Sequence, residues 1–178
     1  NKQQVINLNK AIFLDRDGVI IKAPTINNKP KSIKRLSQLK FINGIIKFCK
    51  YYKKKKYFLI MVTNQPEVSR KIVSKKNVLQ INNFIQKKLK LDEIYVCYSD
   101  NERSFDRKPN PGMVLKSRSK YKLNLKKSFI IGDRWRDIGV GYKTGCISIL
   151  IDRNYDEKMI YKPNHIVKKI KDIYKIIR

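Results

Sequence analysis

The sequence predicts an α/β protein with a Rossmann-like, doubly wound parallel sheet. Three observations lead there. Short apolar runs of strand length alternate with longer stretches whose apolar residues recur at helical spacing, through most of the 178 residues. No internal repeat and no long Gly, Ser or Pro linker interrupts the alternation, so residues 1–178 read as one domain. Four of the apolar runs are followed, directly or in the loop after them, by acidic, hydroxyl or basic residues, where an open parallel sheet collects its chemistry.

The elements follow in order. Ala11–Leu14 reads as a buried first strand. Residues 18–37 carry Pro24, Pro30 and several Asn and Lys, so they form a loop or small hairpin. Residues 42–52 fit a helix with Ile42, Ile45, Ile46 and Cys49 along one face. Residues 57–62 form the second strand. Ser74 is the N-cap of a helix whose Val78, Ile81, Ile85 and Leu89 make one apolar stripe. Residues 93–98 form a strand, 99–110 an irregular stretch and 112–121 a short helix. Residues 129–131 form a strand, 137–143 a short helix and 147–151 a strand. The motif core thus spans about 10–152. Pro163 and Asn164 precede a basic amphipathic helix over about 164–177, with Ile166, Ile170, Ile173 and Ile177 packed on the sheet.

The charge is lopsided: 42 Lys and Arg against 14 Asp and Glu, a net +28. Such a chain attracts anions, nucleic acid and phosphorylated sugars alike. Lysine, isoleucine, asparagine and tyrosine are abundant together, as in an A+T-rich genome, and the charge is read first as drift on a solvated surface. No apolar run approaches the ~18 residues of a membrane span, and no secretory signal opens the chain. Cys49, Cys97 and Cys146 are odd in number and far apart, which suits reduced thiols. The expectation is a cytoplasmic monomer.

Four motifs carry the chemistry: AIFLDRDGV at 11–19, FLIMVTNQ at 58–65, RKPNPGM at 107–113 and FIIGDRWRD at 129–137. Asp15 and Asp17 are two residues apart, so an extended chain sends both side chains to one side. One carboxylate accepts a phosphoryl group, and the other protonates the leaving oxygen and then activates water. DRDG alone reads equally as a surface turn; its company gives it meaning. Thr63 and nearby backbone amides suit phosphate oxygens, and Lys108, in a loop stiffened by Pro109 and Pro111, suits the charge of a transferring phosphoryl group. Asp15, the Asp17 carbonyl and Asp133 offer the hard oxygens that Mg2+ takes, with Asp137 in support.

DRDGVI, TNQ, RKPNPGM and GDRWRD resemble the haloacid dehalogenase superfamily of phosphatases, over about residues 10–152. They are closest to the subgroup containing heptose-1,7-bisphosphate 7-phosphatase and histidinol-phosphatase. The resemblance implies a Rossmann-like sheet, Mg2+ and an aspartyl-phosphate on Asp15, with Asp17 as acid and base. It implies that Thr63 and Lys108 steady the phosphoryl group, that Arg107, Asn64 and Gln65 meet the substrate, and that Asp133 holds the metal.

Two departures stand out. The heptose enzymes usually carry three cysteines and a histidine as a zinc loop before RKP. Here the stretch is CYSDNERSFDRKP, with Cys97 alone and His165 far downstream, so structural zinc is not expected. Val68-Ser69-Arg70-Lys71 also replaces the usual Ala-Arg-Gly ending after TNQ. Only some 45 residues separate Asp17 from Thr63 and Thr63 from Lys108, too few for a large cap domain. The expected substrate is a small phosphorylated sugar, D-glycero-D-manno-heptose 1,7-bisphosphate. Polynucleotide 3′-phosphate and histidinol phosphate are the alternatives, nucleic acid being compatible with the charge but not favoured by the DRDGVI wording.

Overall fold

The computed structural model describes residues 8–178. In chain order the elements are β1 (Ala11–Leu14), β2 (Thr25–Ile26), β3 (Lys29–Pro30), α1 (Ile45–Lys54), β4 (Phe58–Asn64), α2 (Lys75–Leu89) and β5 (Glu93–Cys97). Then come α3 (Gly112–Tyr121), β6 (Phe129–Gly132), α4 (Trp135–Thr144), β7 (Ile147–Ile151), β8 (His165–Val167) and α5 (Ile170–Ile173). Six strands form one sheet in the order β5-β4-β1-β6-β7-β8, every neighbour pair parallel. β2 and β3 make a separate small hairpin.

Side chains alternate along each strand and feed two cores. Ile12, Leu14, Leu59, Met61 and Ile131 pack with α1, α2 and α5 on one face. Ala11, Phe13, Ile60, Val62 and Ile130 pack with α3 and α4 on the other. That is the doubly wound α/β fold the alternation predicted. Only the β2–β3 hairpin, a short 3-10 turn and α1 lie between β1 and β4, so the sheet's carboxyl edge carries no large cap. Cys49, Cys97 and Cys146 are all free and buried.

The N-cap reading at Ser74 holds: its hydroxyl accepts from the Asn77 amide, and Val78, Ile81, Ile85 and Leu89 are buried as the stripe requires. α1 starts at Ile45 rather than 42, because Gly44 at φ +86° turns the chain left-handed just before it. α4 starts earlier than 137, at Trp135.

The C-terminal segment corrects the sequence reading. There is no continuous helix over 164–177. His165–Val167 instead adds a sixth strand beside Ile149–Ile151, and only Ile170–Ile173 is helical. A bare β7 edge offers backbone partners that an amphipathic helix cannot use, and a β-branched pair suits the edge strand. Ile170, Ile173 and Ile177 still bury their side chains against the sheet, while Ile166 is left 63% exposed.

Candidate active site

β1 lies at the point where the strand order reverses, and its carboxyl end meets those of β4 and β6. The Asp15 amide donates to the Ile131 carbonyl at 3.0 Å, so Asp15 is pinned to the last rung of the ladder. Gly18 then turns the chain at φ +85°. A Cβ there would stand 1.8 Å from Asp133 Oδ2, so any side chain would displace the Asp133 carboxylate. A cavity of about 100 Å3 opens over this corner, lined by Asp15, Asp17, Thr63, Asn64, Arg107 and Lys108 among others. Sequence motifs as far apart as Asp15 and Asp137 thus converge on one site, with Lys108, 93 residues from Asp15, between them.

Lys108 is the hub. Its ammonium donates to Asp15 Oδ1 at 2.8 Å, Asp137 Oδ1 at 2.6 Å and the Val62 carbonyl at 2.9 Å, with 3% of the residue exposed. Burial disfavours its charge, but the Asp137 and Asp15 carboxylates outweigh burial and hold it firmly protonated. Asn64 fixes the lysine's backbone from both sides, donating to its carbonyl and accepting from its amide, both at 3.0 Å. That clamp explains an asparagine at the end of β4.

The acids are less comfortable. Oxygens of Asp15, Asp133 and Asp137 lie within 4.8 Å of one another, all buried. Burial first, then the neighbouring carboxylates, pushes Asp133 well above the ordinary range and Asp137 to about 6. One lysine does not neutralise three buried carboxylates, and among the described residues Asp133 Oδ1 has no hydrogen-bond partner. An orphaned oxygen in an all-oxygen cluster with excess negative charge fits a hard divalent cation, which would remove the penalty on ionisation. The Asp137 carboxylate joins this cluster, more centrally than its supporting part in the sequence reading suggested; the Asp17 carboxylate stands apart from it. Asp133 Oδ2 accepts from Tyr155 Oη at 2.8 Å.

Asp17 is held by a neighbour the sequence reading passed over. Arg16, fully buried, donates Nε and Nη2 to Asp17 Oδ2 at 3.1 and 2.9 Å, and Nη1 to Asn82 Oδ1 of α2 at 3.1 Å. Burial raises the Asp17 pKa, opposed by Arg16. Gln65 does not line the cavity; its amide braces Asp17 Oδ2 at 3.3 Å and Ser32 at 3.1 Å from behind.

Three arginines form the outer wall. Arg107, 5% exposed, donates to the Ser99 carbonyl at 3.0 Å and to Glu102 at 3.2 Å, leaving a buried Nε without a partner. Arg136 pairs with the same Glu102, at 2.6 Å, and Arg134 pairs with Glu157. Arg134 and Arg136 were visible in GDRWRD, but only the fold brings them beside Arg107. The Cys97 thiol lies 3.9 Å from the Ser99 carbonyl and from Ser104 Oγ.

Two family models match the chain: polynucleotide kinase 3 phosphatase over residues 10–137, and a HAD-hydrolase-like model over residues 105–173. A D-glycero-alpha-D-manno-heptose-1,7-bisphosphate 7-phosphatase of Campylobacter jejuni is 30% identical, covering 93% of this chain and 96% of the relative. A D-glycero-beta-D-manno-heptose-1,7-bisphosphate 7-phosphatase of Pasteurella multocida is 30% identical, covering 96% and 98%. Among solved structures, the D,D-heptose 1,7-bisphosphate phosphatase of B. bronchiseptica, complexed with magnesium and phosphate, superposes with a TM-score of 0.80 at 20% identity, covering 94% and 97%. A HAD-like phosphatase structure from Mesorhizobium loti gives 0.77 at 20% identity, covering 96% of this chain and 85% of its own.

Proposed function

Because this chain belongs to the haloacid dehalogenase superfamily of phosphatases, we propose that it hydrolyses the 7-phosphate of a heptose 1,7-bisphosphate. One observation carries the substrate choice. The cavity has Lys108 beside Asp15 and, apart from it, a wall of Arg107, Arg134 and Arg136, with Lys31 also in the lining. A substrate with two phosphates uses both, one at the reacting centre and one as an anchor on planar guanidinium groups.

In this reading Asp15 attacks phosphorus through the carboxylate oxygen not held by Lys108. Asp17 gives its proton to the departing sugar oxygen as the P–O bond breaks, leaving an aspartyl-phosphate and the heptose monophosphate. Asp17 then takes a proton from the water that attacks phosphorus, and Asp15 is regenerated with release of phosphate. Burial raises the Asp17 pKa, which favours its part as proton donor in the first step, and Arg16 stabilises the carboxylate needed for the second. Lys108, Thr63 and nearby amides balance charge on the phosphoryl oxygens. Asp15, the Asp17 carbonyl and Asp133 would hold Mg2+, with the Asp137 carboxylate in the same cluster. Bound there, the cation would neutralise phosphoryl charge and lower repulsion between nucleophile and substrate.

Phosphate release from a panel of heptose 1,7-bisphosphate, histidinol phosphate and a 3′-phosphorylated oligonucleotide tests this directly. The heptose bisphosphate is expected to give the highest kcat/KM. A far higher value for the oligonucleotide at physiological salt would replace this reading with a polynucleotide 3′-phosphatase, which the family match over residues 10–137 and the net +28 favour as the second reading.

Tyr155→Phe tests the metal assignment separately. It removes the hydrogen bond to Asp133 Oδ2, so the Mg2+ concentration for half-maximal activity is expected to rise about 10-fold with little change in saturated kcat. An unchanged Mg2+ requirement would remove Tyr155 from the metal's support. Metal analysis of the purified protein is expected to find no stoichiometric zinc; one tightly bound zinc per chain would contradict that.

A further inference from the structure

A second cavity of about 780 Å3, much larger than the catalytic one, lies between the start of α1 and the turn from β8 into α5. Both are at the carboxyl edge of the sheet, the side that carries the active site. Its rim holds six cations, Lys22, Lys47, Arg153, Lys168, Lys169 and Lys171, and no acid lines it. Half of its 12 lining residues are therefore basic, against 42 of 178 in the chain. Among the described residues none of the six enters an ion pair, although nine other cations do. α1 also opens on the cavity with no side-chain cap and no acid in its first turn, adding the positive end of a ten-residue helix.

The interior differs from the rim. Ile42, Ile170, Tyr51 and Tyr174 give it an apolar and aromatic floor, with Tyr51 43% exposed. Charge alone fits any polyanion. A cationic rim over an aromatic floor fits a chain that carries phosphates and exposes flat rings, which is unpaired nucleic acid; in a duplex the rings are stacked away.

We propose that this groove binds single-stranded nucleic acid, phosphates on the lysine rim and bases against the tyrosine floor. It gives part of the net charge a place and a purpose. The proposal does not rest on the heptose bisphosphate reading, since it concerns a surface outside the catalytic cavity. Arg153 joins the two: it donates Nε and Nη2 to the Gly18 carbonyl at 3.1 and 2.9 Å, directly after Asp17. For that reason it is left intact in the test.

The test is fluorescence anisotropy with a labelled, unphosphorylated oligothymidylate of about 20 nucleotides, titrated at several salt concentrations. The groove variant Lys47→Ala/Lys168→Ala/Lys171→Ala is compared with Lys76→Ala/Lys87→Ala/Lys88→Ala on the exposed side of α2, which removes the same charge. The groove variant is expected to bind about 10-fold or more weaker, and its salt slope to fall by about 2, as the loss of three single-strand phosphate contacts requires. The control is expected to stay within about 3-fold of wild type, and phosphate release to be unchanged in both variants. Equal weakening in the two variants would overturn the groove in favour of diffuse surface charge. Equal affinity for a duplex of the same length would overturn the single-strand assignment. Because the probe carries no terminal phosphate, these outcomes are independent of which phosphomonoester the enzyme hydrolyses.

Discussion

Asp15→Asn is expected to lower turnover by about 10⁴-fold or more, the scale of losing a covalent nucleophile, while the protein stays folded. The substitution keeps the size of the side chain and an oxygen that accepts from Lys108 and from the Arg16 amide, both 2.8 Å away in the wild type. What it removes is the anionic oxygen that accepts phosphorus. In the fold Asp15 is 8% exposed and contributes to the repulsion that raises Asp133 and Asp137. Neutralising it relieves that repulsion, and Lys108 keeps its contact with Asp137. Thermal unfolding of metal-free protein is therefore expected to be unchanged or slightly later. Phosphate release near the wild-type rate would remove Asp15 as the nucleophile.

Lys108→Met is expected to lose activity and stability together. It preserves much of the side-chain volume but leaves three buried carboxylates without their lysine and the Val62 carbonyl without a donor. Breaking a buried ion pair from one side typically costs about 3–5 kcal/mol, or roughly 6–20 °C in Tm for a chain of this size. Added Mg2+ is expected to raise the Tm of this variant more than that of the wild type, because the acid cluster would have lost the ammonium that pairs with Asp15 and Asp137. The wild type carries a milder form of the same strain. Asp137 keeps its proton to about pH 6 when folded, against an ordinary value of 3.8. Over that window the folded state binds more protons than the unfolded state, so metal-free stability falls as pH rises. Mg2+ should flatten that slope. An unshifted Tm in Lys108→Met would show that the lysine does not hold the cluster together.

How much of this was legible beforehand depended on range. Asp15, Thr63 and Asp133 could be picked out because each follows an apolar run, and Lys108 because Pro109 and Pro111 stiffen the loop it opens; the fold places the strand ends together. Asn64 and Gln65 were visible as residues but not as braces, since their partners Lys108 and Asp17 lie 44 and 48 residues away. Nothing in the sequence singles out Arg16 between its two aspartates; α2, supplying Asn82, helps hold it buried in the fold. The C-terminal isoleucines at 166, 170, 173 and 177 mimic a helical stripe, and nothing local reveals that β7 has an open edge beside them. Likewise the Glu102 bridge between Arg107 and Arg136 joins the loop after β5 to the first turn of α4, which meet only in three dimensions.

The buried cysteines have a practical corollary for labelling. Burial pushes the Cys49 thiol up to about 12 and Cys146 to about 11, and Cys97 is only 4% exposed. Thiolate is the species that alkylates, so a maleimide finds little to react with in the native protein. A cysteine introduced at exposed Lys171 or Lys76 would take a fluorophore or spin label selectively, with all three native thiols left in place. The wild-type core thus already serves as a cysteine-silent background for placing optical or magnetic reporters on its surface.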